Sequence, residues 1–282
     1  MILWKRLKSD KLAVVCIIIL FVILLAGVLA PVITPNSPIE TNITQKFQSM
    51  SMKYPFGTDQ LGRCLFSRIL YGVRTTVILS ILTMIITILI GTILGMISGF
   101  FGGFVDEIIM RICDIMLSFP SEVMILSIVG ILGPGLFNVI IANIIAKWVW
   151  YTRMIRSIVL QYRDKNYIKF ARVSGCSTWH IIKKHLVPGV AGEIIVLATL
   201  DTGWVILNIS ALSFLGLGVQ PPIPEWGMML NEAKNIMTTH PTQMLPAGIA
   251  ILVVVAAFNF LGDSLQVALD PKKHGKLKEV IK

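Results

Sequence analysis

Long apolar runs alternate with short polar and basic segments along the whole chain. Crossing about 30 Å of hydrocarbon takes roughly 20 consecutive apolar residues in a helix. Six stretches meet or approach that length: residues 12–30, 75–98, 108–132, 136–151, 190–217 and 245–269. The first two carry no charged side chain. Gly133-Pro134-Gly135 marks a tight turn between the third and the fourth. The pattern predicts an all-α polytopic membrane protein with six transmembrane helices, which puts both termini on one side. A cleaved signal peptide is the alternative for the first stretch, because Lys5, Arg6, Lys8 and Lys11 precede it and Val28-Leu29-Ala30 resembles a cleavage site. Its apolar run exceeds the 7–15 residues of a signal core, and Pro31 would follow the cut, so a retained helix is expected.

Composition supports the membrane reading. Of 282 residues, 55% are hydrophobic and 14% charged, against about 25% charged in soluble domains. Mean hydropathy is +0.79. That excludes a soluble enzyme, a disordered chain and a nucleic-acid binder. The net charge of +10 comes from 25 Lys and Arg against 15 Asp and Glu. These cations cluster in three places: the N-terminal segment, the segment from Arg153 to Lys184, and the tail with Lys272, Lys273, Lys276, Lys278 and Lys282. Six spans place all three on one side, the cytoplasm, where membrane proteins gather Lys and Arg beside anionic lipid. The expected organisation is a cytoplasmic segment at 1–11, a membrane domain at 12–269 and a cytoplasmic tail at 270–282. The first outer segment runs against the trend, with Lys46, Lys53, Arg63, Arg68 and Arg74. Cys16, Cys64, Cys113 and Cys176 have neither redox nor metal-ligand spacing, so neither a disulfide nor a zinc site is expected. His180, His185, His240 and His274 share no ligand face, and the 13 Met suit gap filling, so no metal site is expected on this chain.

Two stretches outside the spans have helical patterning. In residues 58–74, Thr58 or Asp59 is a helix-capping type, and Leu61, Leu65, Phe66, Ile69 and Leu70 form an apolar face turned away from Arg63 and Arg68. Asp59 and Arg63 stand at i, i+4 and suit a pair. The expectation is an amphipathic helix lying on the membrane surface. In residues 162–188, Tyr167, Phe170, Ala171 and Ser174 recur at helical spacing until Gly175, a helix-ending residue. Ser177 or Thr178 is placed to cap a second helix carrying Trp179, Ile182 and Leu186, with Pro188 ending it. A plain positively charged loop needs no pair of capped helices with an apolar stripe.

That loop resembles the coupling loop of ABC importer permeases, E-A-A-x-x-x-G-(x)n-I-x-L-P. Ala171 matches the second alanine, Gly175 the glycine and Pro188 the proline, while Lys169 and Phe170 replace the Glu and first Ala. Four further motifs, in the right order, resemble permeases of dipeptide, oligopeptide and nickel importers. They are FGTDQLGR at 56–63, with Cys64 where Asp is usual; Asp106, Met110-Arg111, Asp114 and Ser118-Phe119-Pro120; SFLGLGVQPPIPEWG at 213–227; and FNFLGD at 258–263 with Leu269-Asp270-Pro271. The resemblance implies the type I ABC importer permease fold and a transport subunit rather than an enzyme. It also implies a homologous second permease, two cytoplasmic ABC ATPases holding ATP and Mg, and an extracytoplasmic substrate-binding protein. Membrane lipid is the remaining partner. The chain has no G-x-x-x-x-G-K-[ST], and Gly275-Lys276 lacks the rest of that motif, so no nucleotide cofactor is expected on it. Tyr167, Phe170, Ala171, Gly175, Trp179, Ile182 and Pro188 are then the candidate ATPase-coupling residues.

Two cargoes compete within the family, short peptides and metal chelates. Ala198-Thr199-Leu200-Asp201 with Gly203, residues 138–142 and residues 148–154 resemble the nickel and metallophore branch. Trp204 and Asn208 stand where a nickel permease has histidines, which favours a nickel, cobalt or zinc ion already wrapped in an opine-type chelator. A charge at a helix centre costs about 2.5–3.5 kcal/mol on insertion scales. Asp201, Glu122 and Lys147 are therefore pathway candidates, with Trp204 and Asn208 beside them. An internal ion pair of Lys147 with Glu122 or Asp201 is the alternative. Gly91 and Gly95 form G-x-x-x-G, a close-packing motif expected in the permease pair. A membrane enzyme or a channel would need a catalytic set or a filter, and neither is visible.

Overall fold

A computed structural model describes residues 2–269, with side chains from residue 6 onward. The tail lysines, His274, Gly275-Lys276 and Asp270-Pro271 lie outside the described residues, as does the side chain of Lys5. The described chain is helical and has no β-strand. After α1 (Ile2–Ser9), α2 (Lys11–Val28) begins where Asp10 accepts from the backbone N–H groups of Leu12 and Ala13 at 3.0 and 3.4 Å. The short α3 (Ala30–Ile33) holds Pro31 in its first turn, where a missing N–H is harmless. Arg74 donates to the carbonyls of Gly27 and Val28, both at 2.8 Å, and satisfies groups that α2 leaves open at its end.

Residues 58–74 depart from expectation. The helix α4 (Leu65–Gly72) starts seven residues after Thr58 and does not lie free on the surface. A wide π turn at Val73–Ile78 joins it to α5 (Leu79–Phe101), so Leu65–Phe101 is one apolar element of 37 residues. A tight turn occupies the residues before it. Gly57 and Gly62 have positive φ, and the Asp59 carboxylate accepts from Leu61 N and Arg63 N at 2.9 Å each. The expected Asp59–Arg63 pair forms at 2.6 Å, within this turn. Arg63 and Arg68 are buried, at 2% and 1% exposure, and not turned outward. Both reach Glu232, at 2.9 and 2.6 Å, in a neutral cluster of two guanidinium groups and two carboxylates.

The predicted third span is broken. It forms α6 (Gly103–Leu117) and α7 (Ser121–Leu132), bent by 82°. Pro120 lacks an N–H and pushes Phe119 out of the helical region, so the break falls at Ser118-Phe119-Pro120. Next come α8 (Leu136–Arg163), α9 (Asn166–Val173), α10 (Thr178–Ile181) and α11 (Val187–Phe214). A second π turn, Ile182–Leu186, joins α10 to α11. Pro188 therefore sits in the first turn of α11 and ends nothing. The chain closes with α12 (Trp226–Lys234) and α13 (Leu245–Leu269).

Among the described residues, four elements are long and apolar enough to cross a membrane: Lys11–Val28, Leu65–Phe101, Thr178–Phe214 and Pro241–Leu269. The bent α6–α7 pair makes a fifth if counted as one span. The predicted fourth span, α8, has 28 residues, a length of about 42 Å. With Asn138, Asn143, Lys147, Arg153 and Arg156 along it, it is less apolar than those four. Glu225 caps α12, accepting from Met228 N at 2.7 Å, Thr76 at 3.1 Å and Ser210 at 3.2 Å. Burial pushes its carboxyl above the usual carboxylate range although these hydrogen bonds oppose the shift.

The tightest helix contact is α5 on α8. Gly91, Gly95 and Gly99 line α5 where it meets Tyr151, Thr152, Ile155 and Val159. The G-x-x-x-G motif thus packs within the chain. A Cβ at Gly95 would stand 2.7 Å from the Thr152 carbonyl oxygen and 3.0 Å from Arg156 N, both backbone atoms that cannot rotate away. Gly95→Leu is expected to cost about 3 kcal/mol, the upper part of the overpacking range, and to lower the thermal midpoint in detergent. Gly130→Ala, where a Cβ meets nothing within 4 Å, is the neutral control. Equal midpoints for the two variants would show that the glycine stripe does not set this packing.

Candidate transport pathway and coupling loop

The loop between α8 and α11 has the predicted helix–turn–helix form. At the end of α9, Cys176 N donates to Ala171 O and Gly175 N to Arg172 O, each at 3.1 Å. That pair of bonds is the Schellman motif, and it requires a left-handed residue at Gly175, whose φ is +76°. Ser177 caps α10, accepting from His180 N at 3.3 Å. Tyr167, Phe170, Val173 and Trp179 are exposed, with Val173 at 87%. Ala171 is buried and Ile182 is half-buried against the core, so neither belongs to the outward stripe as expected. Val173, missed from the sequence, does. Tyr167, Phe170, Ala171, Cys176 and His185 line an open groove of about 570 Å³ along α9.

Of the charged residues predicted in the spans, Lys147 lies on α8, and Glu122 and Asp201 lie on α7 and α11, which both pack against α8. Lys147 Nζ lies 3.5 Å from the centroid of the Trp204 ring, a cation–π contact. It also approaches Glu122 Oε1 at 3.9 Å. With Glu122 59% exposed this is a loose pair, of the kind worth about 1 kcal/mol or less. Asp201 accepts from the Tyr151 hydroxyl at 2.8 Å, and no Lys147–Asp201 ion pair is made among the described residues. The Oδ1 atom of Asn208 is buried without a hydrogen-bond partner. Among the predicted residues, Lys147 therefore touches both Glu122 and Trp204, while Asp201 is held one helical step away by a residue that sequence reasoning passed over. The signal for Tyr151 was its i+4 spacing from Lys147.

Charge contacts continue along α8. Arg156 donates from Nε and Nη2 to the two carboxylate oxygens of Asp106 on α6, and Ser98 of α5 also donates to Asp106. Arg153 pairs with Asp114. Arg163 donates to Gly99 O at 3.0 Å, and Arg172 of α9 stacks 5.0 Å from the Phe100 ring. Through these contacts α6 and the α9 loop are tied to the same α5–α8 pair that carries Lys147 and Tyr151.

A bundle of apolar spanning helices, with charges paired inside it and a two-helix loop presenting an apolar stripe, defines a multi-pass membrane protein. Comparison with known families names the type. The chain belongs to the family described as "Binding-protein-dependent transport system inner membrane component", which matches residues 91–275. Residues 2–49 match the "N-terminal TM domain of oligopeptide transport permease C", in keeping with α2 as an integral helix. The metal-staphylopine import system permease protein CntC of Staphylococcus aureus is 46% identical over 278 residues, 99% of this chain and 96% of the relative. The dipeptide transport system permease protein DppC of Alkalihalophilus pseudofirmus is 42% identical, covering 95% and 88%. The nickel transport system permease protein NikC of Escherichia coli is 36% identical, covering 84% and 86%. The chain is thus a transport component and not an enzyme.

Nothing lies within 4 Å of a Cβ placed on Gly175, so any penalty there comes from the backbone and not from crowding. A left-handed conformation costs an ordinary residue about 1–2 kcal/mol, and Asn tolerates it better. Gly175→Val is expected to insert normally but to reduce ATP-driven transport by the assembled complex, with Gly175→Asn close to wild type. Full transport and full ATPase stimulation with Val would remove this turn from the coupling mechanism.

Proposed function

We propose that this chain is a permease subunit of an ATP-driven importer that carries a metal chelate, such as nickel, cobalt or zinc held by an opine-type metallophore, across the cell membrane by alternating access. The observation that carries the cargo assignment is the 46% identity with the metal-staphylopine permease along 99% of the chain. The uncharged Trp204 and Asn208 beside Asp201 support it, since they suit a wrapped metal better than direct coordination. The 42% identity with a dipeptide permease favours peptides as the second reading.

In this reading a homologous permease completes the pathway, two ATPases dock beneath it, and an extracytoplasmic binding protein delivers cargo. ATP and Mg reside on the ATPases. Both termini and the Gly175 loop are cytoplasmic, residues 36–53 are outside, and α8 supplies the sixth crossing. The exposed stripe of Tyr167, Phe170, Val173 and Trp179 seats in the ATPases as a helix-in-groove contact. Thr178–Phe214 is a single element, so a shift at Trp179 is transmitted along one helix to Asp201 and Trp204. ATP binding then favours one of two packings, with the central site open to one side or the other.

The topology has a direct check. In a cysteine-free background, Ser49→Cys is expected to react with an impermeant thiol reagent on intact cells and Ser177→Cys is not. Labelling at Ser177 would overturn the orientation. For the cargo, ATPase activity of the purified complex is expected to rise with a binding protein loaded with zinc or nickel chelate, and not with one loaded with dipeptide. The reverse result would establish the peptide reading.

A further inference from the structure

Two observed contacts fix how α8 and α11 run past one another. Tyr151 meets Asp201 at 2.8 Å, and Lys147 meets Trp204 at 3.5 Å. Stepping back four residues on α8 accompanies stepping forward three on α11, so the helices are locally antiparallel with matched turns. One further turn brings Asn143 and Asn208 to the same level, since residues at i and i+4 share a face. Both are orphans of the same kind. Asn143 is 1% exposed and donates its amide to Val139 O at 2.8 Å, yet its Oδ1 has no hydrogen-bond partner. Asn208 Oδ1 is likewise buried and unpartnered.

From this juxtaposition we infer that the α8–α11 seam is a graded polar strip that selects the cargo, and that Asn143 and Tyr151 belong to it. The inference rests on the pathway reading above and adds its chemistry. The strip offers two amide oxygens at one end, an ammonium in the middle and a carboxylate at the other end. Asn143 and Tyr151 stand eight residues apart, about 12 Å along the axis. The ligand that satisfies all three levels is an extended zwitterion: N–H donors for the asparagines, a carboxylate for Lys147, and a cationic centre for Asp201. Trp204 holds the ammonium by its ring face, and the loose Glu122 contact at 3.9 Å is one that a cargo carboxylate can displace. Tyr151 does not touch cargo. Its single O–H proton goes to Asp201 Oδ2, which fixes the carboxylate and leaves Oδ1 for a second partner. It is a positioning residue. Met84 Sδ, 3.6 Å from the same hydroxyl oxygen, only packs against it, because the one proton is already used.

The test uses the full complex in liposomes with two probes, zinc bound to an opine-type amino-carboxylate chelator and the dipeptide glycylglycine, each delivered on a loaded binding protein. Tyr151→Phe and Asn143→Leu are each expected to lower maximal uptake of the preferred probe about tenfold, the scale of one lost hydrogen bond to a charged or buried partner. The concentration of loaded binding protein giving half-maximal uptake should not move. On an Asp201→Asn background, Tyr151→Phe should add little, because the pair acts as a unit. Wild-type uptake in both single variants, or full additivity with Asp201→Asn, overturns the strip. So does a fall in uptake matched by an equal fall in folded complex, which would make the seam purely structural. If the wild type carries only glycylglycine, the metal-chelate reading fails by itself. The strip stands in that case when the same variants depress dipeptide uptake, since a dipeptide is also a zwitterion with N–H donors.

Discussion

The close approach of α5 to α8 governs the arrangement of everything that carries function. Three glycines one turn apart, Gly91, Gly95 and Gly99, remove the side chains that would otherwise hold the two backbones apart. In a bilayer, lipid tails are as apolar as leucine, so helices gain little from hiding apolar surface from lipid. Small residues that allow dense backbone packing supply the attraction instead. Once Thr152, Ile155 and Val159 are seated on the glycine stripe, the rotation of α8 is fixed. That rotation turns Lys147 and Tyr151 toward α11 and Arg153 and Arg156 toward α6. A different face of α8 against α5 would send these polar groups into lipid or into apolar core.

The same solvent dictates how the buried charges are kept. An ion removed from water needs a partner with good geometry. Arg63 and Arg68 find theirs in Asp59 and Glu232, which ties the turn before α4 to α12 although some 170 residues separate them along the chain. Glu225 is instead held by hydroxyls and backbone N–H groups, with no cation among the described contacts. The first arrangement neutralises its charges pairwise. The second leaves one carboxyl in an apolar setting, and its raised protonation range is the direct result. Both anchor α12 and the loop before it, so the segment that the sequence marks with SFLGLGVQPPIPEWG is a rigid, well-tied corner of the fold.

Much of this was legible in the sequence, for identifiable reasons. The apolar runs at residues 12–30 and 245–269 had no competing signal, and both became helices within a few residues of expectation. Gly175 and Ser177 were legible because turn and cap geometry depend on local chemistry. The failures came where a long-range contact overrode a local one. Arg63 and Arg68 read as outward because their partner Glu232 is remote in sequence. Pro188 read as a stop because nothing local distinguishes a proline that ends a helix from one in the first turn of the next. Ser118-Phe119-Pro120 was noticed as a motif, yet its geometric meaning, a sharp break, was lost inside an apolar stretch of the right total length. At the pathway, Lys147 and Asp201 stood out as charges in spans. Tyr151 and Asn143 did not, because a lone Tyr or Asn in a helix is unremarkable until the helix across from it is known.

The two seams of α8 differ in a way that bears on alternating access. Against α5 it is interlocked: a Cβ added to Gly91, Gly95 or Gly99 would stand 2.5, 2.7 or 2.8 Å from an atom of α8. Against α11 the contacts are fewer and include a cation on a ring and a hydroxyl on a carboxylate. These two polar contacts lie one helical turn apart along the seam, so a displacement can exchange one partner for another where an apolar interlock would have to be broken outright. Meanwhile α11 packs more extensively on α13 than on α8. Thus α11 stands between the interlocked α5–α8 pair, with which Val205, Ile209 and Leu212 share a core, and α13, and the candidate cargo residues lie along its boundary with α8. The candidate coupling loop touches both sides of that boundary, since α9 rests on Phe100 through Arg172 while α10 runs directly into α11. A force applied at that loop would act on α5 and α11 from one place, which is the mechanical requirement for moving one against the other.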